Sequence, residues 1–530
     1  MSPDFTQEPP ALDNQYETDR VLRSYLRRVL PEGVLKSIEP ELHDLGERAG
    51  GELFALQQAD VREEPSLTRW GPWGDRVDEI ELTDVWTRAE TLAAERGIVA
   101  TAYEAEHGAL SRVHQMALAY LFIPSTDMYG CPLAMTDGAA RTLLDAGNQA
   151  LVDEAVPHLT SRDPETFWTS GQWMTEAAGG SDVGRTRTTA RKENGTWRLY
   201  GRKWFTSAIT ADMALALARP EGNPDGGKGL ALFYVPVRDE DGLRPGLSVN
   251  RLKDKLGTRK LPTAELQLDG VEAHPVTDDL QHGTRHIAPM LNVTRTWNAV
   301  TAVALIRRGL ALARDYGQKR EAFGTEIINH PLHQETLADL QATLEGSFHL
   351  AFRAAELMGR REQGKADATE TALARLLTPI AKLTTAKRAV SATSEILEAF
   401  GGAGYVEDTG IPALHRDAQV LPIWEGTTNV LALDLLRALR DVGSIAPLKH
   451  EVRRCLNHIE APTLARAVKP AVSAFRDAAR WLQHALNEDQ ETLEAGARRF
   501  ALTLGSTLEL LYTAHHAQWS LREEQDGRSA

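Results

Sequence analysis

Two cysteines, Cys131 and Cys455, are all that a chain of 530 residues contains. Two thiols cannot staple a disulfide framework or build a thiolate metal cluster, and a reduced, cytoplasmic setting is expected. Nowhere is there a run of about 18 apolar residues, so no membrane-spanning helix is expected. The first residues, Met1 to Gln15, are acidic and contain proline. They lack the basic start and apolar stretch of a secretory leader. Basic charge is short as well: 59 Lys and Arg against 74 Asp and Glu leave a formal charge of −15. Such a chain gains nothing from releasing counterions on a nucleic acid, which excludes a diffuse footprint and leaves only a local basic patch open. His282 with His286, and His515 with His516, do not form a metal set with nearby carboxylates. They read as surface or core histidines, and no metal site is expected. Internal repeats and low-complexity tracts are missing too.

What is present is ordinary globular composition, 42% hydrophobic and 25% charged, with length enough for several domains. Tyr16 to Leu30 carries Val21, Leu22, Tyr25, Val29 and Leu30 on one face of a 3.6-residue period, and residues 17–160 read as helices. From about Phe167 to Val276, β-rich runs such as Leu230 to Val235 alternate with Asn194-Gly195, Asp225-Gly-Gly227 and Asp269-Gly270. That pattern predicts a mostly antiparallel β domain. Helical periodicity returns near Thr284, with long helices expected over Leu337 to Gly359, Thr369 to Phe400 and Thr427 to Leu439. Beyond Pro447 lies a further helical segment, its tail from Glu523 expected to fray. The reading is an α+β chain: an N-terminal helical domain (1–165), a central antiparallel β domain (166–283), a C-terminal helical domain (284–445) and a helical extension (446–530).

Four segments carry chemistry. In Met174-Thr-Glu-Ala-Ala-Gly-Gly-Ser-Asp-Val183, Gly179 and Gly180 let the backbone approach a ligand, and Thr175 and Ser181 add hydroxyl donors for a ring carbonyl or a pyrophosphate. The bland alternative is ordinary turn chemistry. In Lys203-Trp-Phe-Thr-Ser207, a Trp and a Thr on one strand suit a flat aromatic ligand, or simply a β core. In Arg320-Glu-Ala-Phe-Gly324 the guanidinium suits a pyrophosphate; equally, an Arg before a Gly is how a helix ends. The fourth runs from Phe400-Gly-Gly-Ala-Gly-Tyr405 through Arg416-Asp417 to Ile423-Trp-Glu-Gly-Thr427. It places Glu425 before a helix start, among Leu421, Pro422, Ile423 and Trp424. Desolvation there would suit a general base; the alternative is a carboxylate that merely complements a helix dipole.

Taken together and in this order, the segments resemble the acyl-CoA dehydrogenase family over roughly residues 90–440. The family's loop T-E-P-G-A-G-S-D is matched by Thr175 to Asp182, its K-x-W-I-T-N strand by Lys203 to Ser207. Its R-x-x-F-G is matched by Arg320 to Gly324, followed by Leu337-Ala-Asp339. Its G-G-x-G-Y, R-D and Y-E-G-T are matched by Gly401 to Tyr405, Arg416-Asp417 and Trp424 to Thr427. Within the family the chain is most similar to the AidB branch of alkylation-response, isovaleryl-CoA dehydrogenase-like proteins. Arg251 to Gly257, Trp424 in place of Tyr, and the helical extension carry that likeness.

The resemblance implies a C-terminal four-helix bundle, an FAD cofactor, a homo-oligomer (a tetramer), a cytoplasmic location and an acyl thioester or related carbon acid as substrate, with a flavoprotein as an electron-accepting partner. It implies α,β-dehydrogenation, with Glu425 as the α-proton base and hydride transfer to flavin N5. Met174, Thr175, Gly180 and Ser181 would hold the flavin ring, with Trp204 packing on it, Thr206 reaching toward N5 and Ser207 beside them. Arg320 and Phe323 would meet the pyrophosphate and adenine end, on a neighbouring subunit. Gly401, Gly402, Trp424, Thr427 and Asn429 complete the implied cofactor set. Pro331 and Glu398 stand where the family usually has Gln, a departure at the implied adenosine contact; Ala177 also replaces the usual loop Pro.

Two other functions fit the same resemblance: an AidB-like flavoprotein with a DNA-associated stress role and weak dehydrogenase activity, or a flavin oxidase or monooxygenase acting on a non-thioester substrate. For DNA the extension is the place to look. Residues 440–530 hold twelve Lys plus Arg and twelve Asp plus Glu, a neutral balance. Only a cluster of Arg453, Arg454, Arg476, Arg480, Arg498 and Arg499 on one face would make it basic.

Overall fold

A computed structural model describes residues 6–239 and 242–528 of the chain. Contacts divide it into two compact units that do not follow chain order. One gathers the N-terminal helices, the segment Ala105–Ser125 and the chain from Arg295 onward. The other is Ala59–Glu104 with Thr126–Thr294. The first 165 residues therefore contribute to both units.

The β unit is built on a sheet in the order Leu247–Leu252, Thr263–Pro275, Thr196–Ser207, Thr189–Glu193, Met213–Pro220, Ser170–Trp173. Ala231–Pro236 joins both Thr263–Pro275 and Met213–Pro220. The expected antiparallel pairing holds for most neighbours, but Ser170–Trp173 and Thr189–Glu193 each run parallel to Met213–Pro220. A parallel pair needs a long connection, and the loop and hairpin between Trp173 and Met213 supply it. Asn194 and Gly195, at φ +50° and +89°, make the tight turn that their dipeptide announces. Inward residues Trp173, Leu199, Phe233, Val235 and Leu266 form the core.

One element departs from the helical expectation. Ser66–Trp70 and Arg76–Glu81 form a β-hairpin, because Gly71, Pro72 and Gly74 break any helix between them. Arg76 donates to the Val249 carbonyl at 2.7 Å and Asp78 accepts from the Val249 amide at 2.9 Å. The hairpin thus engages an edge strand that would otherwise present open backbone groups.

In the helical unit the long helices run Ala288–Lys319, Pro331–Glu362, Ala368–Ala399 and Thr428–Val442. Asp367 and Glu370 form a capping box that starts the third of these. Arg320 follows directly on a helix end, but Gly324 does not close that helix. The helix stops at Lys319, and Glu321–Ala322 pairs with Thr325–Glu326 in a small hairpin. Phe323 and Gly324 turn it at φ +52° and +88°.

The extension folds as Ala446–Leu456, Pro462–Ala467, Lys469–Ala485 and Gln490–Glu523. Its last helix packs along Pro331–Glu362 and Ala368–Ala399. There Glu509 accepts from Ser347 Oγ at 2.8 Å and from Arg388 at 3.0 Å. The tail is not simply frayed after Glu523: Glu524 accepts from Ser24 Oγ at 2.5 Å and from Arg27 Nε at 2.6 Å. Among the described residues, no helix is long and apolar enough to cross a membrane.

Candidate active site

The glycine loop is anchored before it is exposed. The Trp204 amide donates to the Thr175 carbonyl at 2.9 Å, tying the loop to the strand Thr196–Ser207. Glu176 then turns inward. Its Oε2 accepts from the Arg187 amide at 2.8 Å. Its Oε1 accepts from the Thr188 amide at 3.2 Å, from Thr188 Oγ1 at 2.5 Å and from Lys203 Nζ at 2.9 Å. Lys203 also donates to the Leu217 carbonyl at 2.8 Å. Burial pushes the Glu176 carboxyl up, but the Lys203 ammonium and the Thr188 and Arg187 donors outweigh it and hold it below the usual range.

Past this anchor the loop is open. Gly179 sits at φ +121°, a conformation that favours glycine, and a Cβ on Gly180 would crowd the Thr175 side chain, with Oγ1 at 2.7 Å. Among the described residues, the hydroxyls of Thr175 and Ser181 make no hydrogen bond within the chain. Gln172 donates to Met174 Sδ at 3.1 Å, while its Oε1 is buried without a partner.

The strand meets the expectation unevenly. Trp204 is half-buried, with the Lys253 ammonium 3.4 Å from its ring centroid. Lys253 is in turn paired to Glu265 at 2.6 Å. Thr206 is fully buried, and its hydroxyl donates to the Ala264 carbonyl at 2.6 Å. Ala264 is its cross-strand partner in the register of Thr196–Ser207 with Thr263–Pro275, which brings that carbonyl within reach. Ser207 Oγ lies 3.2 Å from Thr263 Oγ1.

In the helical unit, Glu425 sits on a sharp turn. Its φ is +57°, and Gly426 follows at +104°. A left-handed conformation is uncommon for a residue with a side chain. Thr427 then caps the helix Thr428–Val442 by accepting from the Val430 amide. Lys382 Nζ donates to the carbonyls of Trp424 at 2.6 Å and Gly426 at 2.7 Å. Arg295 Nε donates to the carbonyl of Glu425 itself at 3.2 Å. Asp434 holds Arg295 in place at 2.8 Å and also takes Arg375 at 3.0 Å. Trp424 Nε1 donates to Asn298 Oδ1.

The apolar setting expected around Glu425 is therefore only partly found. Leu421 is buried, but Ile423 is 61% exposed. Two cations flank the turn. Burial drives the Lys382 ammonium down to about 7, the Glu425 carboxylate opposing and Arg295 adding to the effect.

Other expected residues are placed elsewhere or otherwise engaged. Asn429 is exposed, and its Oδ1 accepts from Arg498 at 3.0 Å. Gly401 and Gly402 are exposed, and a Cβ on either meets nothing. The glycine that packing requires there is Gly404, whose Cβ would strike the Leu397 carbonyl at 2.1 Å. Arg320 lies 3.4 Å from Gln7 Oε1, and Phe323 is 99% exposed. Two of the extension's arginines are neutralised: Arg454 pairs with Glu451 at 2.8 Å, and Arg480 pairs with Asp477.

Lys382, Arg295, Asp434, Asn298 and Glu176 were not singled out from the sequence. For Lys382 a signal existed: one lysine stands among Ile380, Ala381 and Leu383 on a helix that otherwise buries that side.

Residues 281–440 match the acyl-CoA dehydrogenase C-terminal domain and 171–271 its middle domain. Residues 7–165 match the N-terminal domain of the adaptive response protein AidB. Acyl-CoA dehydrogenase family member 11 of Caenorhabditis elegans is 46% identical over 443 residues, 82% of this chain and 72% of that protein. The putative acyl-CoA dehydrogenase AidB of Escherichia coli (strain K12) is 33% identical over 403 residues, 73% of this chain and 71% of that protein. The crystal structure of Caenorhabditis elegans ACDH-11 in complex with C11-CoA superposes with a TM-score of 0.92 at 41% identity, covering 98% of this chain and 90% of that one.

Proposed function

Because the chain belongs to the acyl-CoA dehydrogenase family, FAD-dependent oxidoreductases, we propose that it α,β-dehydrogenates an acyl thioester with Glu425 as the base. The observation that carries this is the strained turn at Glu425, φ +57°, with the carbonyls of residues 424, 425 and 426 each held by a cation. Strain maintained by several buried contacts marks a position where side-chain direction matters.

The Glu425 carboxylate takes the α-proton. Its backbone N–H donates to the thioester carbonyl oxygen, where negative charge develops as the α-proton leaves. What bound FAD supplies is the acceptor for the β-hydrogen and its electron pair. The residues around the glycine loop suit that cofactor. Gln172 Oε1 is a buried acceptor without a partner, and the Thr175 and Ser181 hydroxyls are unspent. Met174, Thr175, Gly180, Ser181 and Trp204 would hold the ring, and Thr427 would serve the pyrophosphate at the helix start. Arg320 and Phe323 serve the cofactor of a second copy in a homotetramer. The 99% exposure of Phe323 and 85% exposure of Leu332 support such covering.

C11-CoA bound to the worm relative makes medium-chain acyl-CoAs the first substrates to try. The test is anaerobic bleaching of the flavin-loaded protein against a panel of acyl-CoA chain lengths. Bleaching with one or more is expected; none across the panel, with flavin bound, overturns the reading.

A further inference from the structure

We propose that Lys382 is a positioning residue for Glu425: its ammonium grips the carbonyls on both sides of that glutamate and so holds the left-handed turn that aims the carboxylate. This deepens the reading above and rests on Glu425 being the base.

Lys382 is fully buried, on a helix whose neighbours Ile380, Ala381, Leu383 and Ala386 are buried apolar residues. Taking an ammonium out of water is costly, and a methionine would fill the same space. The cation is kept where it meets two carbonyls, and these are the two that straddle Glu425. Three successive carbonyls thus point at cations, with Arg295 taking the middle one. The residues just before are already in helical-type turns, Ile423 and Trp424 donating to the Val420 carbonyl at 2.8 and 3.1 Å. Without the ammonium, Glu425 has an easy relaxation to the right-handed region, which swings its side chain away. Arg295 then holds only the middle carbonyl, and the two flanking peptides have lost their cation. Burial lowers the Lys382 ammonium to about 7 and the Glu425 carboxylate opposes that shift, a sign that the two charges sense each other.

The experiment uses the flavin-loaded full-length protein. Lys382→Met is expected to lower the bleaching rate at saturating acyl-CoA by about 100-fold, the cost of a small misplacement of a reacting group. Apparent KM and flavin content stay near wild type. Lys382→Ala is expected to regain rate with propylammonium, which has N–H donors, and not with tetramethylammonium, which has none. Hydrogen exchange of amides 423–428 is expected to speed up in Lys382→Met and not in Lys387→Met on the same helix. If Lys382→Met does not fold, Lys382→Ala folded with propylammonium, then dialysed, carries the test.

A wild-type rate per bound flavin in Lys382→Met overturns the proposal, even where melting temperature or flavin content falls, since that is a structural cation only. Unchanged exchange overturns it too. If the wild type bleaches with no acyl-CoA, the dehydrogenase reading fails by itself. The exchange measurement then still decides whether Lys382 holds the turn.

Discussion

Lys203 Nζ lies 2.9 Å from Glu176 Oε1, with 0% and 7% of the two side chains exposed. This buried pair is the post on which the glycine loop stands: the loop begins at Thr175, and Thr175 is bonded to the residue after Lys203. Lys203→Met leaves a carboxylate buried without its cation, a change that costs about 3–5 kcal/mol. The expected outcome is a lower melting temperature together with weaker FAD binding, read by calorimetry and by flavin fluorescence on dilution. FAD affinity equal to wild type in a folded variant would separate the post from the cofactor loop.

Glu425→Gln keeps the shape of the side chain and removes the base. Flavin content is expected to be unchanged, while the rate of substrate-dependent bleaching drops by at least about 100-fold, the usual contribution of a general base. Stopped-flow absorbance under anaerobic conditions measures it, and full retained turnover would refute the assignment.

Asp434 receives Arg295 at 2.8 Å and Arg375 at 3.0 Å. Burial alone would raise this carboxyl, but the two guanidiniums outweigh it and keep it below the usual range. Asp434→Asn removes the charge that orients Arg295, and with it the hold on the Glu425 carbonyl. A fall in kcat of about tenfold is expected, a partial form of the misplacement penalty. The check is kcat and KM measured separately; a change confined to KM would contradict it.

Acid should loosen the helical unit. His516 accepts from Arg28 Nε at 3.0 Å and lies 3.0 Å from Ser24 Oγ. Burial first, then Arg28, lower both His515 and His516 from 6.5 to about 3. Between those values the unfolded chain binds protons that the folded chain refuses, so stability is full above pH 6.5 and falls as pH drops toward 3. Each histidine removes about 1.4 kcal/mol per pH unit in that window. Glu451, held at about 2 mainly by Arg454 and Arg353 against burial, adds a second loss below pH 4.5. Urea melts at pH 7.5 and 5.5 measure the first effect. His516→Asn should flatten the slope, and an unchanged slope would count against the histidine pair.

Legibility differed by kind of element. Turns such as Asn194-Gly195 could be read from two letters, and long helices from their period, because both are local. The hairpin at 66–81 was missed because its neighbours are helical. The helix expected to end at Gly324 instead ends at Lys319, because Phe323 and Gly324 turn a hairpin. Thr206 matched its motif, yet the register of its strand turns the hydroxyl onto Ala264. Motif letters specify residue types; which neighbour a hydroxyl meets depends on pairing.

The amino-acid order alone determined that helices, β sheet and helices follow one another, that the glycine loop precedes its strand, and that a glutamate stands before a capped helix. All of these follow from backbone preferences and spacings within a dozen or so residues. Only the tertiary structure decided what holds that glutamate: Lys382, 42 residues from Trp424, and Arg295, 130 residues from Glu425. A cation's partner in a folded chain is chosen by which helices pack together and where water is shut out, and no local period records that.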